Sequence, residues 1–386
     1  MRGLLYYGAK DIRFSNNIPV QKPKMKDDVL LKVAYCGICG TDLHEYQHPN
    51  FFTNAASETG DKISGKKLPL VLGHEFSGIV QEVGSNVQKI KPGDHVVVEP
   101  TGHCHDRKNH YNGINKNSND PYCSSCYLGY PNCCKDLSFC GLGVENGALS
   151  EYVNYSADHV LKIPKDKIPL DVAALIEPLA IAWHAIELAS TVKEGCDTLV
   201  IGGGPIGLLT ILALQGHRVG KIVCSEPASI RREQAAKLGV EVFNPDDFNG
   251  DDKIQKLKNL APPNQGGFSA SFDCCGNPAT FKTSIHALKT HGVAVNVAIW
   301  HDVPVLHKVM DLSYQEKYAV GSIGSTISDF EKVIEKIESG DISIDRMRQL
   351  ITSIVPLEHA IEKGFKELAT SKDLHIKILI SPNLKP

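Results

Sequence analysis

Three groups of residues in this chain have the types and spacing to do chemistry. The first is Cys36-Gly-Ile-Cys39-Gly-Thr41-Asp42-Leu-His44 together with the later Gly73-His74-Glu75. A thiolate, an imidazole and a carboxylate gathered by the fold suit a zinc ion with one open position, the arrangement of a catalytic metal. The second group is a crowd of cysteines. The chain has twelve, and Cys123, Cys126, Cys133, Cys134 and Cys140 fall in one short stretch, while Cys104, Cys196, Cys224, Cys274 and Cys275 are dispersed. Where disulfides are disfavoured, clustered cysteines point to metal binding or catalysis.

The third group is Gly202-Gly203-Gly204-Pro205-Ile206-Gly207, a G-x-G-x-x-G run preceded by the apolar Thr198-Leu199-Val200-Ile201 and followed by an apolar helical stretch. That context, strand before and helix after, makes the motif informative. Gly202 permits the tight turn, Gly204 the close approach of a pyrophosphate, and Gly207 close packing of helix on strand. Phosphates then meet the free N–H groups of a helix N-terminus. The next strand, Lys221 to Ser225, ends at Glu226. A carboxylate there accepts hydrogen bonds from ribose hydroxyls and repels a 2′-phosphate, which favours NAD over NADP. Arg231 and Arg232 follow closely and act in the opposite direction.

The elements that must carry these groups divide the chain. Residues 1–160 read mostly as short strands and loops, with Gly, Pro and Asn between apolar alternations. Gln47 to Lys67 and His103 to Tyr122 read as long loops. Asp171 to Ala189 reads as a helix interrupted near Pro178. Strand-like and helical runs then alternate: Thr198–Ile201, Ile206–Gln215, Lys221–Ser225, Ile230–Leu238, Phe268–Asp273, Ala279–Leu288 and Val293–Val297. Such alternation predicts βαβ units and a parallel sheet. A helix over Asp329–Glu338, a helical stretch over Glu358–Leu368 and a strand at Ile376–Ile380 close the chain.

Composition limits the alternatives. At 386 residues the chain is long enough for two domains. With 41 basic against 44 acidic residues and no basic run, nothing calls for a nucleic-acid or membrane partner. The N-terminal MRGLLYYGAKDIRF lacks the apolar core of a signal peptide. The apolar stretch from Thr198 to Leu214 is rich in Gly and holds Pro205, so it reads as strand, turn and helix rather than as a membrane span. A cytoplasmic protein is expected.

Along its whole length the sequence resembles the zinc-containing medium-chain alcohol dehydrogenases. The Cys-Gly-Thr-Asp-x-x-His segment, Gly-His-Glu, the cysteine cluster, the coenzyme fingerprint and the C-terminal tail stand in family order. The resemblance implies an α/β protein with a GroES-like, β-rich catalytic domain over 1–170 and 326–386. A doubly wound Rossmann coenzyme domain with a parallel sheet then spans 171–325. It implies two zinc ions per chain and NAD. Cys39 and His74 become ligands of the catalytic zinc, with Asp42 orienting the histidine. Glu75 becomes a ligand or a close carboxylate. Glu177, in Ala174-Leu-Ile-Glu177-Pro-Leu, marks the polyol-dehydrogenase branch and either ligates the metal or holds its water. Thr41 passes the substrate proton toward His44, the final base. The structural zinc falls to Asp120, Cys123, Cys126 and Cys134, with Cys104 the alternative to Asp120. Dimers or tetramers are usual in the family. Within it the chain looks most like the butanediol dehydrogenases, so a small secondary alcohol or ketone of the 2,3-butanediol/acetoin kind is the expected substrate. A sorbitol- or xylitol-type polyol dehydrogenase is the alternative. A non-enzymatic NAD-binding relative predicts damage to Cys39, His74 or the glycines, and all are intact.

Overall fold

A computed structural model describes residues 1–20, 22–23, 25–48, 55, 57–111, 121–300, 305, 307–371 and 374–385. The chain forms two compact units, one of Met1–Glu177, Thr326–Ile334 and Ile351–Pro386, the other of Pro178–Ser325 and Glu335–Leu350. Among the described residues no helix is long and apolar enough to cross a membrane.

The first unit is built on a seven-stranded sheet. Its centre is the strand Asp28–Gly37, whose sequence DVLLKVAYCG is nearly all buried. That strand pairs antiparallel with Glu75–Val83, Tyr152–Ser156 and Lys377–Ser381. Three-stranded and two-stranded sheets complete the β-rich body. Register places chemistry at one end of the central pair. Gly37 faces Glu75 across the ladder, so Cys39, two residues beyond the first strand, and His74, one residue before the second, emerge side by side. Cys39 also caps the short helix Gly40–Gln47.

The second unit carries a six-stranded sheet whose pairs are all parallel. In chain order its strands are Thr198–Ile201, Ile222–Ser225, Glu241–Phe243, Phe268–Asp273, Leu288–Asn296 and Tyr318–Gly321, and across the sheet they run 3-2-1-4-5-6. This is the doubly wound dinucleotide-binding order, with its switch point between the first and fourth strands. The Gly202 turn and the Cys274-Cys275 turn lie at the carboxyl ends of those two strands.

Several elements differ from the sequence reading. The helical stretch after Asp171 breaks at Ala174-Leu175, between the helices Leu170–Ala173 and Ile176–Glu187. Pro178 falls in the first turn of the second helix, where a missing N–H leaves nothing unpaired. The segment His103 to Tyr122, read as loop, contains the helix Cys104–Asn109. Its charged sequence CHDRKN hides it from a hydrophobic-period reading. The strand Glu241–Phe243 and the helix Gly250–Lys258 were not anticipated; the strand is three residues long and half of it is wet. The tail segment Glu358–Leu368 winds as a short 3₁₀ turn and then a π-helix over Ile361–Lys366.

The glycine turn shows what each small residue does. Gly202 has φ +101°, a backbone that glycine tolerates best. A Cβ on Gly207 would overlap the Gly202 carbonyl oxygen, whereas one on Gly204 would meet open space. Gly207→Ala should therefore lower the stability of this unit by about 1–3 kcal/mol through overpacking. Gly204→Ala should stay within about 0.5 kcal/mol while weakening coenzyme binding. Chemical denaturation of both variants decides, and equal midpoints would contradict the packing argument.

Candidate metal and coenzyme sites

In the first unit one ligand atom each from Cys39, His74 and Glu75 lies within 4.8 Å of the others. His74 is buried, and its Nδ1 lies 3.5 Å from Asp42 Oδ1. The second Asp42 oxygen accepts the Cys39 N–H at 3.1 Å. Asp42 thus fixes both residues and leaves Nε2 of His74 as the donor for a metal. Burial disfavours a charged His74, but Asp42 and Cys39 outweigh it and hold the ring well above its ordinary pKa. Burial, aided by Glu75, pushes the Cys39 thiol up. The Thr41 hydroxyl lies 3.5 Å from Cys39 Sγ. His44 is one turn further along the same helix and shares its face with Thr41.

Glu177 is buried in the same unit, and its Oε2 has no hydrogen-bond partner among the described residues. Burial pushes its carboxyl up to about 8, with His74 opposing and Glu75 adding to the rise. An orphaned buried carboxylate oxygen that feels both His74 and Glu75 is a donor of the kind zinc accepts, although the converging trio itself is Cys39, His74 and Glu75. A divalent ion binds such groups by displacing their protons.

Glu75 has another commitment. Its Oε2 pairs with the Lys377 ammonium at 2.5 Å, and both side chains are buried. Lys377 also donates to the Ile38 carbonyl at 3.4 Å. A Cβ at Gly37 would strike Glu75 Oε2 and crowd Lys377, so the glycine keeps room for the pair. Sequence reasoning missed Lys377, which lies in the last strand without a motif around it.

The second collection is Cys104, Cys123, Cys126 and Cys134, whose sulfurs all lie within 4.8 Å of one another. Cys104 and Cys134 are 3.5 Å apart, Cys123 and Cys134 3.9 Å. Four sulfurs at about 2.3 Å from a tetrahedral zinc stand about 3.8 Å apart, so these four fit the ion. Burial opposes ionisation of Cys123, but N–H groups of Cys126 and Lys135 hold its thiol down to about 6. The buried Arg107 guanidinium donates to Asp136 at 2.8 Å and to Cys104 Sγ at 3.5 Å. Asp120 lies outside the described residues; among those described, the fourth sulfur is Cys104. Its helix is anchored by His159, which bridges Glu99 at 2.7 Å and Asp106 at 2.8 Å.

In the second unit Glu226 is buried at the end of its strand. One carboxylate oxygen accepts the Gly203 N–H at 2.6 Å and the other the Ala228 N–H at 2.8 Å. Arg232 donates to the carbonyls of Glu226 and Pro227. The helix Pro205–Gly216 begins at Gly204 with no side chain capping its first N–H groups, which leaves them for an anion.

A doubly wound dinucleotide unit joined in one chain to a β-rich unit with two zinc-type donor sets defines a metal-dependent oxidoreductase. Residues 25–165 match the alcohol dehydrogenase GroES-like domain and residues 205–339 the zinc-binding dehydrogenase domain. The chain is 46% identical over 383 residues to (R,R)-butanediol dehydrogenase of Saccharomyces cerevisiae, covering 99% of this chain and 98% of that protein. It is 42% identical to probable diacetyl reductase 2 of the same yeast, described as (R)-acetoin forming, over 99% and 90% of the two chains. The crystal structure of 2R,3R-butanediol dehydrogenase from Bacillus subtilis superposes with a TM-score of 0.84 at 30% identity and 99% coverage of each chain. The chain belongs to the zinc-containing medium-chain alcohol dehydrogenases. It is an enzyme of the alcohol dehydrogenase kind, and its cofactors are zinc and a nicotinamide dinucleotide.

Two outcomes test the donor sets. Elemental analysis should find two zinc ions per chain, one fewer in Cys104→Ser, and still two in Asp120→Ala; the reverse pattern would hand the fourth ligand to Asp120. Lys377→Met strands a buried Glu75 carboxylate, so chemical denaturation should show a loss of about 3–5 kcal/mol. An unchanged midpoint would mean that Glu75 finds another partner.

Proposed function

We propose that this chain interconverts (R,R)-2,3-butanediol and acetoin with NAD(H). The observation that carries this reading is the 46% identity to the yeast butanediol dehydrogenase across 99% of the chain. When bound, zinc would supply Lewis acidity toward the alcohol oxygen and NAD would supply the hydride acceptor. The chain's own residues do the rest. Cys39, His74 and Glu177 hold the catalytic ion, with Asp42 fixing the histidine. Glu75, engaged with Lys377, serves as a neighbouring carboxylate. Thr41 passes the alcohol proton through its own hydroxyl to the nicotinamide ribose, and His44 takes it as the final base, a task that suits an imidazole. Cys104, Cys123, Cys126 and Cys134 hold the second zinc.

Gly202, Gly204 and Gly207 form the coenzyme turn. Glu226 takes the ribose hydroxyls and favours NAD over NADP, and Arg231, five residues further on, is a further candidate coenzyme contact. On this reading the first unit is the catalytic zinc domain and the second the coenzyme domain. The enzyme works in the cytoplasm as a homo-oligomer. The edge strand Tyr318–Gly321, largely exposed, offers unpaired backbone groups to a second copy, and a monomer mass in sedimentation would refute the association.

The polyol reading draws on Glu177, which the polyol branch shares. Long polyols carry hydroxyls that must lose water, at about 1–3 kcal/mol for each one left unpaired. The kcat/KM for (R,R)-2,3-butanediol with NAD should therefore exceed that for sorbitol by at least about tenfold, and the same diol should turn over less efficiently with NADP. Faster sorbitol or xylitol oxidation would replace the butanediol assignment with the polyol one.

A further inference from the structure

We propose that His286, His307 and Asp311 form a third metal site, separate from both zinc groups, for a divalent transition ion. All three lie in the second unit, and one donor atom from each falls within 4.8 Å of the others. His286 Nε2 is 2.9 Å from Asp311 Oδ2, and His307 Nε2 is 4.0 Å from the same oxygen. Ligands about 2.0–2.2 Å from a tetrahedral ion stand roughly 3.3–3.5 Å apart, so the two observed separations bracket what an ion requires. The imidazole rings meet edge to face with centroids 5.9 Å apart, which lets both present Nε2 to one point.

A hydrogen bond between His286 and Asp311 accounts for only part of this arrangement. His307 Nε2 is buried and has no hydrogen-bond partner among the described residues. An unpaired buried imidazole nitrogen is costly, and this one faces the oxygen that His286 already shares. A metal satisfies both rings and the carboxylate together.

The local chain explains the convergence. His286 ends the helix Pro278–His286, while His307 and Asp311 are spaced i, i+4, with Asp311 in the short helix Met310–Ser313. The His286 and Asp311 side chains are only partly covered and line a cavity of about 470 Å³ that an ion from solvent can enter. Lys258 and Lys317 line that cavity too; the Lys317 ammonium is engaged by the Ile285 carbonyl at 3.1 Å. Two imidazoles and one carboxylate select Zn²⁺, Ni²⁺ or Cu²⁺ over Mg²⁺ or Ca²⁺, which prefer all-oxygen sites. An ion here would staple the end of one helix to the segment that leads into the edge strand Tyr318–Gly321.

The test uses the full-length zinc-loaded enzyme and Ni²⁺ as probe. After equilibration at micromolar free Ni²⁺ and desalting, metal analysis should find one nickel per chain with the two zincs retained. The melting temperature should rise by several degrees, as for any ligand that binds only the folded state. His307→Ala and Asp311→Asn should each lose the nickel and the melting shift while keeping both zincs and the wild-type kcat. If His307→Ala fails to fold, His307→Gln, which keeps volume but removes the imidazole, serves in its place. No nickel on wild type, equal nickel on the variants, or nickel gained only as zinc is lost would each overturn the site.

Discussion

Burying several negative groups in one place is the constraint that shapes this enzyme. Asp42, Glu75 and Glu177 are all within 4% of complete burial, and the partly buried Cys39 adds a thiol to the group. Like charges removed from water repel strongly and cannot all persist. The cations set against them are His74, held by Asp42, and Lys377, held by Glu75. What remains unbalanced is Cys39 and Glu177, and without a metal burial pushes both toward their protonated forms. That imbalance suits a doubly charged ion: protons rest on the two groups proposed to hold the metal, while the buried cations are engaged elsewhere. The fold follows the same requirement. Lys377 reaches Glu75 because the last strand returns beside the central strand of the first unit.

The parts legible in the sequence were those whose meaning is local. The glycine turn was readable because strand, turn and helix are consecutive, and because Gly202 and Gly207 each answer a nearby steric demand. Cys39 and His74 were readable as a pair through their flanking residues, and the strand register then puts them side by side. The fourth sulfur of the second metal group was ambiguous for a physical reason. Cys104 stands 19 residues before Cys123, and only the helix Cys104–Asn109, tied down by His159 and Arg107, carries it into the cluster. Nothing in the spacing announces those ties. Lys377 was invisible for the same reason, since a lone lysine in an apolar strand reads as solvated until its partner is known. Short wet elements such as Glu241–Phe243 leave too little periodicity to detect.

The coenzyme seat shows how one side chain can settle two matters. The Glu226 carboxylate closes the glycine turn by accepting from Gly203 and also orders the turn after its own strand by accepting from Ala228. Charge-assisted hydrogen bonds of this kind are stronger than neutral ones. The residue proposed to choose the coenzyme is thus also part of the loop that shapes its seat.

The Lys377–Glu75 pair also sets a timetable for the making of the protein. The two residues are 302 positions apart, and at about 5–20 residues per second a ribosome needs about 15–60 s to travel from one to the other. Throughout that interval the N-terminal strands exist without the ammonium that neutralises Glu75 and without the last strand beside Asp28–Gly37. The second unit, drawn mainly from Pro178–Ser325, is synthesised whole in the meantime. The coenzyme-type unit can close on the nascent chain first, and the charge balance around Glu75 is reached only once Lys377 has left the ribosome.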